Sequence, residues 1–250
     1  MTDLNTSLPT ALRRALELLA DPPADPDVSE GYLDLLPADT ADTADDGVRK
    51  NTGAIQAAWA SPLGSLLYDN AQAFSRRLFT IWRTPIDWLA IPAGGTALDV
   101  GCGPGSVTAA LAGAAGRGGL AVGVDISRPM LARAVQAHAG PQTGFLRADA
   151  QRLPLRDQTV DAVVSIAVLQ LIPDPASALA EMSRVLRPGG RLAVMVPTAG
   201  PAARILRKLP MGGAHVFGAD DLADILEDTG FARLRTDNFG NIQWVRGTRR

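Results

Sequence analysis

Between residues 96 and 197, short apolar runs alternate with helix-patterned stretches: "TALDVG", "LAVGVDI", "GFLRADA", "DAVVSIAV" and "RLAVMVP". Between them lie "SVTAALAGAAG", "RPMLARAVQAHAG" and "DPASALAEMSRVLRPGG". Strand and helix in strict alternation demand crossover connections, which are right-handed. The outcome is a mainly parallel sheet with helices on both faces. "LRPGG" is a helix stop, with Arg187 in the last turn. A last helix, "ADDLADILEDTG", starts on acids and stops at Gly230. The chain then reads as two strands, "FARLRTDNFG" and "IQWVRGTRR", joined by a tight turn.

The N-terminal part is patterned differently. Leu8, Leu12, Leu16 and Leu19 fall on one helical face, with Ser7 as a candidate cap and Pro9 in the first turn. Nine carboxylates and no Lys or Arg occupy residues 21–46, a solvated acidic connector with one buried piece from Tyr32 to Leu36. Residues 54–90 resume a helical pattern carrying Trp59, Trp82 and Trp88. The expected division is an N-terminal helical extension or lid over residues 1–90 and an α/β domain over residues 91–250. A net charge of −2 offers no general attraction to nucleic acid or anionic membrane. The lone cysteine, Cys102, cannot close an internal disulfide. No apolar run reaches the ~20 residues of a membrane span. Arg13, Arg14 and Glu17 interrupt any leader-like stretch, so the expected location is cytoplasmic.

The chemistry concentrates at "ALDVGCGPGSV", where Gly101, Gly103 and Gly105 follow a strand. The dinucleotide fingerprint needs its third small residue at 106, which is Ser106. Asp99 beside the turn would repel a pyrophosphate and welcome an ammonium group. Asp125 ends the second strand twenty residues after Gly105, where an acid can hold both ribose hydroxyls. Asp149 ends the third strand. Ligands in such sheets sit outside the strands' carboxyl ends, so the three acids are expected around one crevice. Each alone could be a helix or turn cap. Together they suit a ligand with a ribose, an adenine amine and an amino-acid ammonium.

These residues, with "GVDISRPMLARA", "RADAQRLPL", "VVSIAVLQLIPDPASALAEMSRVLRPGGRLAV" and "LADILEDTGF", resemble the successive motifs of class I S-adenosylmethionine-dependent methyltransferases. The subgroup most resembled includes the ubiquinone/menaquinone methyltransferases. The resemblance implies an α/β, Rossmann-like fold: a seven-stranded, mostly parallel sheet with the last strand antiparallel. It implies S-adenosylmethionine as cofactor and S-adenosylhomocysteine as product. Gly101, Cys102 and Gly103 would approach the methionine part through backbone, and Asp99 would orient its ammonium, partly through water. Asp125 would hold the ribose, with Ile126 and Met130 against the adenine. Asp149 would accept from the adenine amine, Ala150 N–H would donate to the ring, and Ala167 would offer backbone to the methionine end.

A small apolar acceptor is expected, methylated at oxygen or carbon, since Ala54 to Leu67 carries no charge. Trp59, Tyr68, Gln170 and His215 are candidate acceptor contacts, with His215 and Tyr68 the candidate catalytic residues. Gln170 stands where the family often has histidine, and an amide cannot serve as a base. His138 reads as a helix-end residue. No His/Asp/Glu cluster has ligand spacing, so no metal is expected. "SIAVLQ" lacks the Asn/Asp-Pro-Pro-aromatic signature of base and amide methylation, which lowers nucleic acid as a substrate. The alternatives are an NAD-dependent oxidoreductase and a non-catalytic S-adenosylmethionine-binding protein.

Overall fold

The computed structural model describes residues 8–36, 86–198, 215, 217–240 and 242–250. Its centre is one eight-stranded sheet in the order β1-β4-β3-β2-β5-β6-β8-β7. The strands are β1 (Leu33–Asp34), β2 (Thr96–Val100), β3 (Leu120–Asp125), β4 (Thr143–Arg147), β5 (Val160–Ile166), β6 (Leu186–Pro197), β7 (Phe231–Phe239) and β8 (Ile242–Arg249). The helices are α1 (Thr10–Leu16), α2 (Ser106–Ala115), α3 (Arg128–His138), α4 (Pro175–Val185) and α5 (Asp221–Asp228). β1 to β6 pair in parallel, whereas β8 is antiparallel to both of its neighbours, β6 and β7. The seven expected strands are present, and β8 is the antiparallel one.

The eighth strand, β1, is the buried piece of the acidic connector. Its two residues pair with β4, Leu33 opposite Leu146 and Asp34 opposite Arg147. A strand of two residues has no periodicity to read, so only its burial was legible in the sequence.

The strands read as unbroken apolar runs because both faces are covered. On one face Leu98, Val122, Leu146, Val163 and Val194 meet α1, α4 and α5 through Leu12, Leu179, Met182 and Leu222. On the other, Ala97, Ala121, Ala162 and Ala193 lie under Leu111 and Ala112 of α2. Ala97 sits opposite both Ala121 and Ala162. Small side chains on sheet and helix let the two layers come close.

Three local readings shift. α1 has Pro9 as its N-cap residue rather than inside the first turn. α4 ends at Val185, so Arg184 occupies its last turn, and "LRPGG" lies within β6. Arg187 instead pairs with Asp161. The shift has a physical reason: β6 pairs with β5 from Leu186 onward, across an irregularity between Val160 and Ala162.

Gly105 closes the turn before α2 with φ +83°, and a Cβ there would lie 2.8 Å from the Phe145 ring and 3.0 Å from Ala134 Cβ. Gly105→Ala should therefore destabilise by about 2–3 kcal/mol through strain and overpacking. A denaturant-unfolding titration checks this, expecting a lower midpoint at unchanged slope.

Candidate cofactor site

β2 and β3 end side by side, and the chain leaving β2 turns sharply across the end of β3. The N–H groups of Gly101 and Cys102 both donate to Val124 O, at 2.8 and 3.0 Å. Gly103 N–H donates to Asp125 Oδ2 at 2.8 Å. Gly105 N–H donates to Cys102 O at 3.0 Å. Gly101, Gly103 and Gly105 all take positive φ, which favours glycine at each. A Cβ on Gly101 would reach within 2.2 Å of Val168, so this glycine lets the turn pack on the segment after β5. A Cβ on Gly103 would meet nothing within 4 Å. That open side is a cradle beside Asp125.

The donors of this turn are committed inside the protein. A phosphate would need them, together with the N-terminus of α2. That N-terminus is occupied from below by Asp99, whose carboxylate accepts from Thr108 Oγ1 at 2.7 Å. The side chain is buried, and burial pushes its pKa up to about 7, with the Asp125 charge adding to the rise. Burial raises Asp125 as well, opposed by the Ser127, Gly103 and Ile126 N–H groups. It also lifts the Cys102 thiol, which lies near both acids, far above its ordinary range and makes it a poor nucleophile.

Asp125 Oδ1 accepts from Ser127 N–H at 2.8 Å, which fixes the start of α3. Ile126 and Met130, which follow Asp125 in the chain, are half-buried. Asp149 accepts from Gln151 N–H at 2.9 Å, and the Gln151 amide spans Asp149 (3.2 and 3.4 Å) and Asp174 N–H (3.0 Å). Asp99, Asp125 and Asp149 come from three neighbouring strands, β2, β3 and the exit of β4. Asp125 and Asp149 are half-buried, whereas Asp99 lies beneath the turn with Thr108. Ala150 follows Asp149 and is half-buried against the core.

The segment after β5 forms the other side. Ala167 has φ +56°, its N–H donates to Met195 O at 2.9 Å, and its carbonyl accepts from Gln170 Nε2 at 2.6 Å. His215 is held here too: its backbone N–H donates to Gln170 O at 2.7 Å. His215 Nε2 lies 2.9 Å from Pro173 O. A carbonyl only accepts, so Nε2 carries the proton and Nδ1 is left as the basic atom. Gln170 and His215 are thus brought together. Trp59 and Tyr68 lie outside the described residues. Ser165 Oγ and Gln170 Oε1 are buried with no protein partner among those residues. Thr108, Val168, Gln151 and Ser165 carry no motif of their own; Thr108 alone had a cue, as a polar residue in the first turn of a helix. Among the described residues no group of His, Cys, Asp and Glu could hold a metal ion, and no helix is long and apolar enough to cross a membrane.

Comparison with known proteins bears on this geometry. A family described as "Methyltransferase domain" matches residues 98–194. Trans-aconitate 2-methyltransferase of Azoarcus sp. is 34% identical over 187 residues, 66% of this chain and 70% of that protein. The chain belongs to the class I S-adenosylmethionine-dependent methyltransferases. It is also similar to the 2-phytyl-1,4-naphtoquinone methyltransferase of Thermosynechococcus vestitus, 39% identical over 52% of this chain and 59% of that one. The demethylmenaquinone methyltransferase of Bacillus licheniformis is 41% identical over 44% of this chain and 49% of its own length. The chain thus spans about half the length of these quinone-methylating relatives. Among solved structures, an S-adenosylmethionine dependent methyltransferase from Mesorhizobium loti superposes with TM-score 0.57 at 20% identity, covering 69% of this chain and 97% of that one. The [4+2]-cyclase SpnF superposes with TM-score 0.53 at 20% identity, over 67% and 80%. At these identities the structures speak for the fold alone.

Asp99 yields a sign-definite expectation for stability. Its folded pKa is raised, so the folded protein holds a proton that the unfolded chain releases between the ordinary aspartate range and pH 7. Stability from this group therefore declines as pH rises through that window and is level above pH 7. Asp99→Asn removes the decline. Thermal melts of both proteins without cofactor at pH 5 and pH 8 should show the variant gaining on the wild type by several degrees at pH 8; parallel shifts would refute this protonation.

Proposed function

We propose that the protein transfers the methyl group of S-adenosylmethionine to a small, apolar acceptor at oxygen or carbon. The observation that carries this reading is the open cradle at Gly103 with the Asp125 carboxylate beside it. The residues fit the cofactor's chemistry. The turn's N–H groups are spent internally on Val124 O, Asp125 and Cys102 O, which leaves none for a phosphate, and the neighbouring acids suit an ammonium. Asp125 supplies acceptor oxygens for two ribose hydroxyls, and Asp149 one for an adenine amine. Ile126 and Met130 offer apolar surface to the adenine ring, and Ala150 N–H donates to it. The backbone of Gly101, Cys102 and Ala167 serves the methionine end, with Asp99 acting on its ammonium only through its charge from beneath the turn.

When bound, S-adenosylmethionine supplies a methyl group on a positively charged sulfur, open to in-line displacement. The protein's task is to align the acceptor and keep water out. An oxygen acceptor must lose a proton, and His215 Nδ1 is the basic atom held near Gln170 for that purpose. A carbon acceptor on an electron-rich ring makes less demand on a base. The quinone-methylating relatives and the uncharged stretch from Ala54 to Leu67 support an apolar ring acceptor. A non-catalytic S-adenosylmethionine-binding role is the second reading, favoured by Gln170, whose amide cannot serve as a base where the family often has histidine.

Calorimetry with S-adenosylhomocysteine and with NADH tests the cofactor. S-adenosylhomocysteine should bind and NADH should not; the reverse would overturn the proposal. Asp125→Ala should weaken S-adenosylhomocysteine by about tenfold or more through loss of charged hydrogen bonds. Gly103→Ala should unfold within about 1 kcal/mol of the wild type, because only its positive φ is strained, yet lose most affinity because the Cβ fills the cradle. Transfer of label from methyl-labelled cofactor to demethylated naphthoquinols should follow, and confirmed binding with no transfer to any extract component would favour the non-catalytic reading.

A further inference from the structure

The cofactor-site loop after β3 is held from outside by an ion pair that reaches back to the acidic connector. Arg147 is the last residue of β4 and is 9% exposed. Its Nη1 sits 2.9 and 3.2 Å from the two carboxylate oxygens of Asp34, on β1. Its Nε donates to Ile126 O at 3.2 Å. Arg128, in the first turn of α3, completes the cluster at 2.9 Å from Asp34 Oδ2. The connector is further anchored by Leu35 N–H donating to Arg147 O and by Tyr32, buried with Cys102, Leu131, Ala134 and Phe145.

The placement of Ile126 gives this cluster its importance. The β3–β4 ladder pairs Asp125 with Arg147 and continues with Ala148 N–H donating to Asp125 O at 3.2 Å. Beyond that point the two strands diverge, and the Ile126 carbonyl has moved past the ladder. The guanidinium of Arg147 takes the place of the missing rung. A planar group with fixed forks can hold a carbonyl on one side and a carboxylate on the other, which an ammonium cannot do at once. Asp34 sets the guanidinium plane, and the guanidinium sets the peptide between Asp125 and Ser127.

We propose that Asp34 and Arg147 are positioning residues for the nucleoside end of the cofactor: through Ile126 O they fix the backbone that presents Asp125 to the ribose and Ile126 to the adenine. This rests on the cofactor reading above. The connector is then part of the binding apparatus, although Tyr32 is buried in the core and both Asp34 oxygens are paired with arginines. Arg128, at the helix surface with a half-exposed side chain, adds charge to Asp34.

The test uses the full chain and two ligands, S-adenosylhomocysteine and adenosine, titrated by calorimetry into wild type, Asp34→Asn, Arg147→Lys and Arg147→Met. Arg147→Lys keeps a cation for Asp34 and removes the planar fork. The expected result is a loss of about fivefold to tenfold for both ligands in all three variants, at unchanged stoichiometry. Adenosine should lose as much as S-adenosylhomocysteine, because the disturbed contacts lie at the nucleoside end. A purely structural ion pair would lower the melting temperature and the bound fraction while leaving the dissociation constant of the folded protein unchanged, and that result overturns the proposal. So does Arg147→Lys binding like the wild type, since charge alone would then suffice. Failure of the wild type to bind either ligand overturns the cofactor reading and this inference with it, and is told apart by the wild-type titration alone.

Discussion

One carbonyl, that of Val124, organises the end of the sheet. It accepts from two successive N–H groups, Gly101 and Cys102, and so bends the chain leaving β2 across the tip of β3. Two donors on one acceptor need consecutive amides on the same side of the chain, which the positive φ at Gly101 provides. Gly103 then falls beside Asp125, its N–H donates to the carboxylate, and its bare face is left open. Val168 fills the space behind Gly101 and ties the turn to the segment after β5, where Gln170 and His215 gather. The positions of the acid, the open face and the basic histidine all follow from that one bend.

The same bend bears on which ligand the turn suits. In nucleotide folds with a Gly-rich turn, the helix N-terminus and the turn's amides are the anion site. Here Thr108 and the first turn of α2 serve Asp99, and the turn's amides serve Val124 and Asp125. Burial chiefly, with the Asp125 charge adding to it, pushes the Asp99 pKa up to about 7, and the negative charge of the two acids repels a further anion. A ligand bearing cationic groups relieves that repulsion, and a pyrophosphate deepens it.

Much of this was legible in the sequence because it is local. Each strand and helix of the alternation, the glycine spacing, the acid at each strand end and the turn after Phe239 occupies a dozen residues or fewer. Of the piece from Tyr32 to Leu36, the burial of Tyr32 and Leu33 was legible as well, from apolar residues in an otherwise acidic stretch, whereas Asp34 to Leu36 are half-buried. What the piece is buried against was not, since β1 lies more than a hundred residues from β4 along the chain and two residues carry no register. Arg147 is the clearest case. In "FLRADA" it has the composition of a solvated residue, and only the return of Asp34 makes it a buried fork. Asp99 was read as facing the ligand, and the structure places it beneath the turn, because side chains alternate along β2 and Asp99 falls on the α2 face with Ala97. The roles expected of Trp59 and Tyr68 fall outside the described residues.

The order of the strands also decides how the sheet ends. On one side the last full parallel strand, β4, is closed by two residues of β1, whose Asp34 is already paired to Arg147 and Arg128. On the other side lies β7, nine residues long, whose outer N–H and C=O groups could recruit a foreign strand. It carries Arg233, Arg235 and Asp237 and is kinked by an irregularity between Ala232 and Arg235. Charge and a local kink are how exposed strand edges resist growth into aggregates. A stub closes one border of the sheet, and electrostatics together with geometry guards the other.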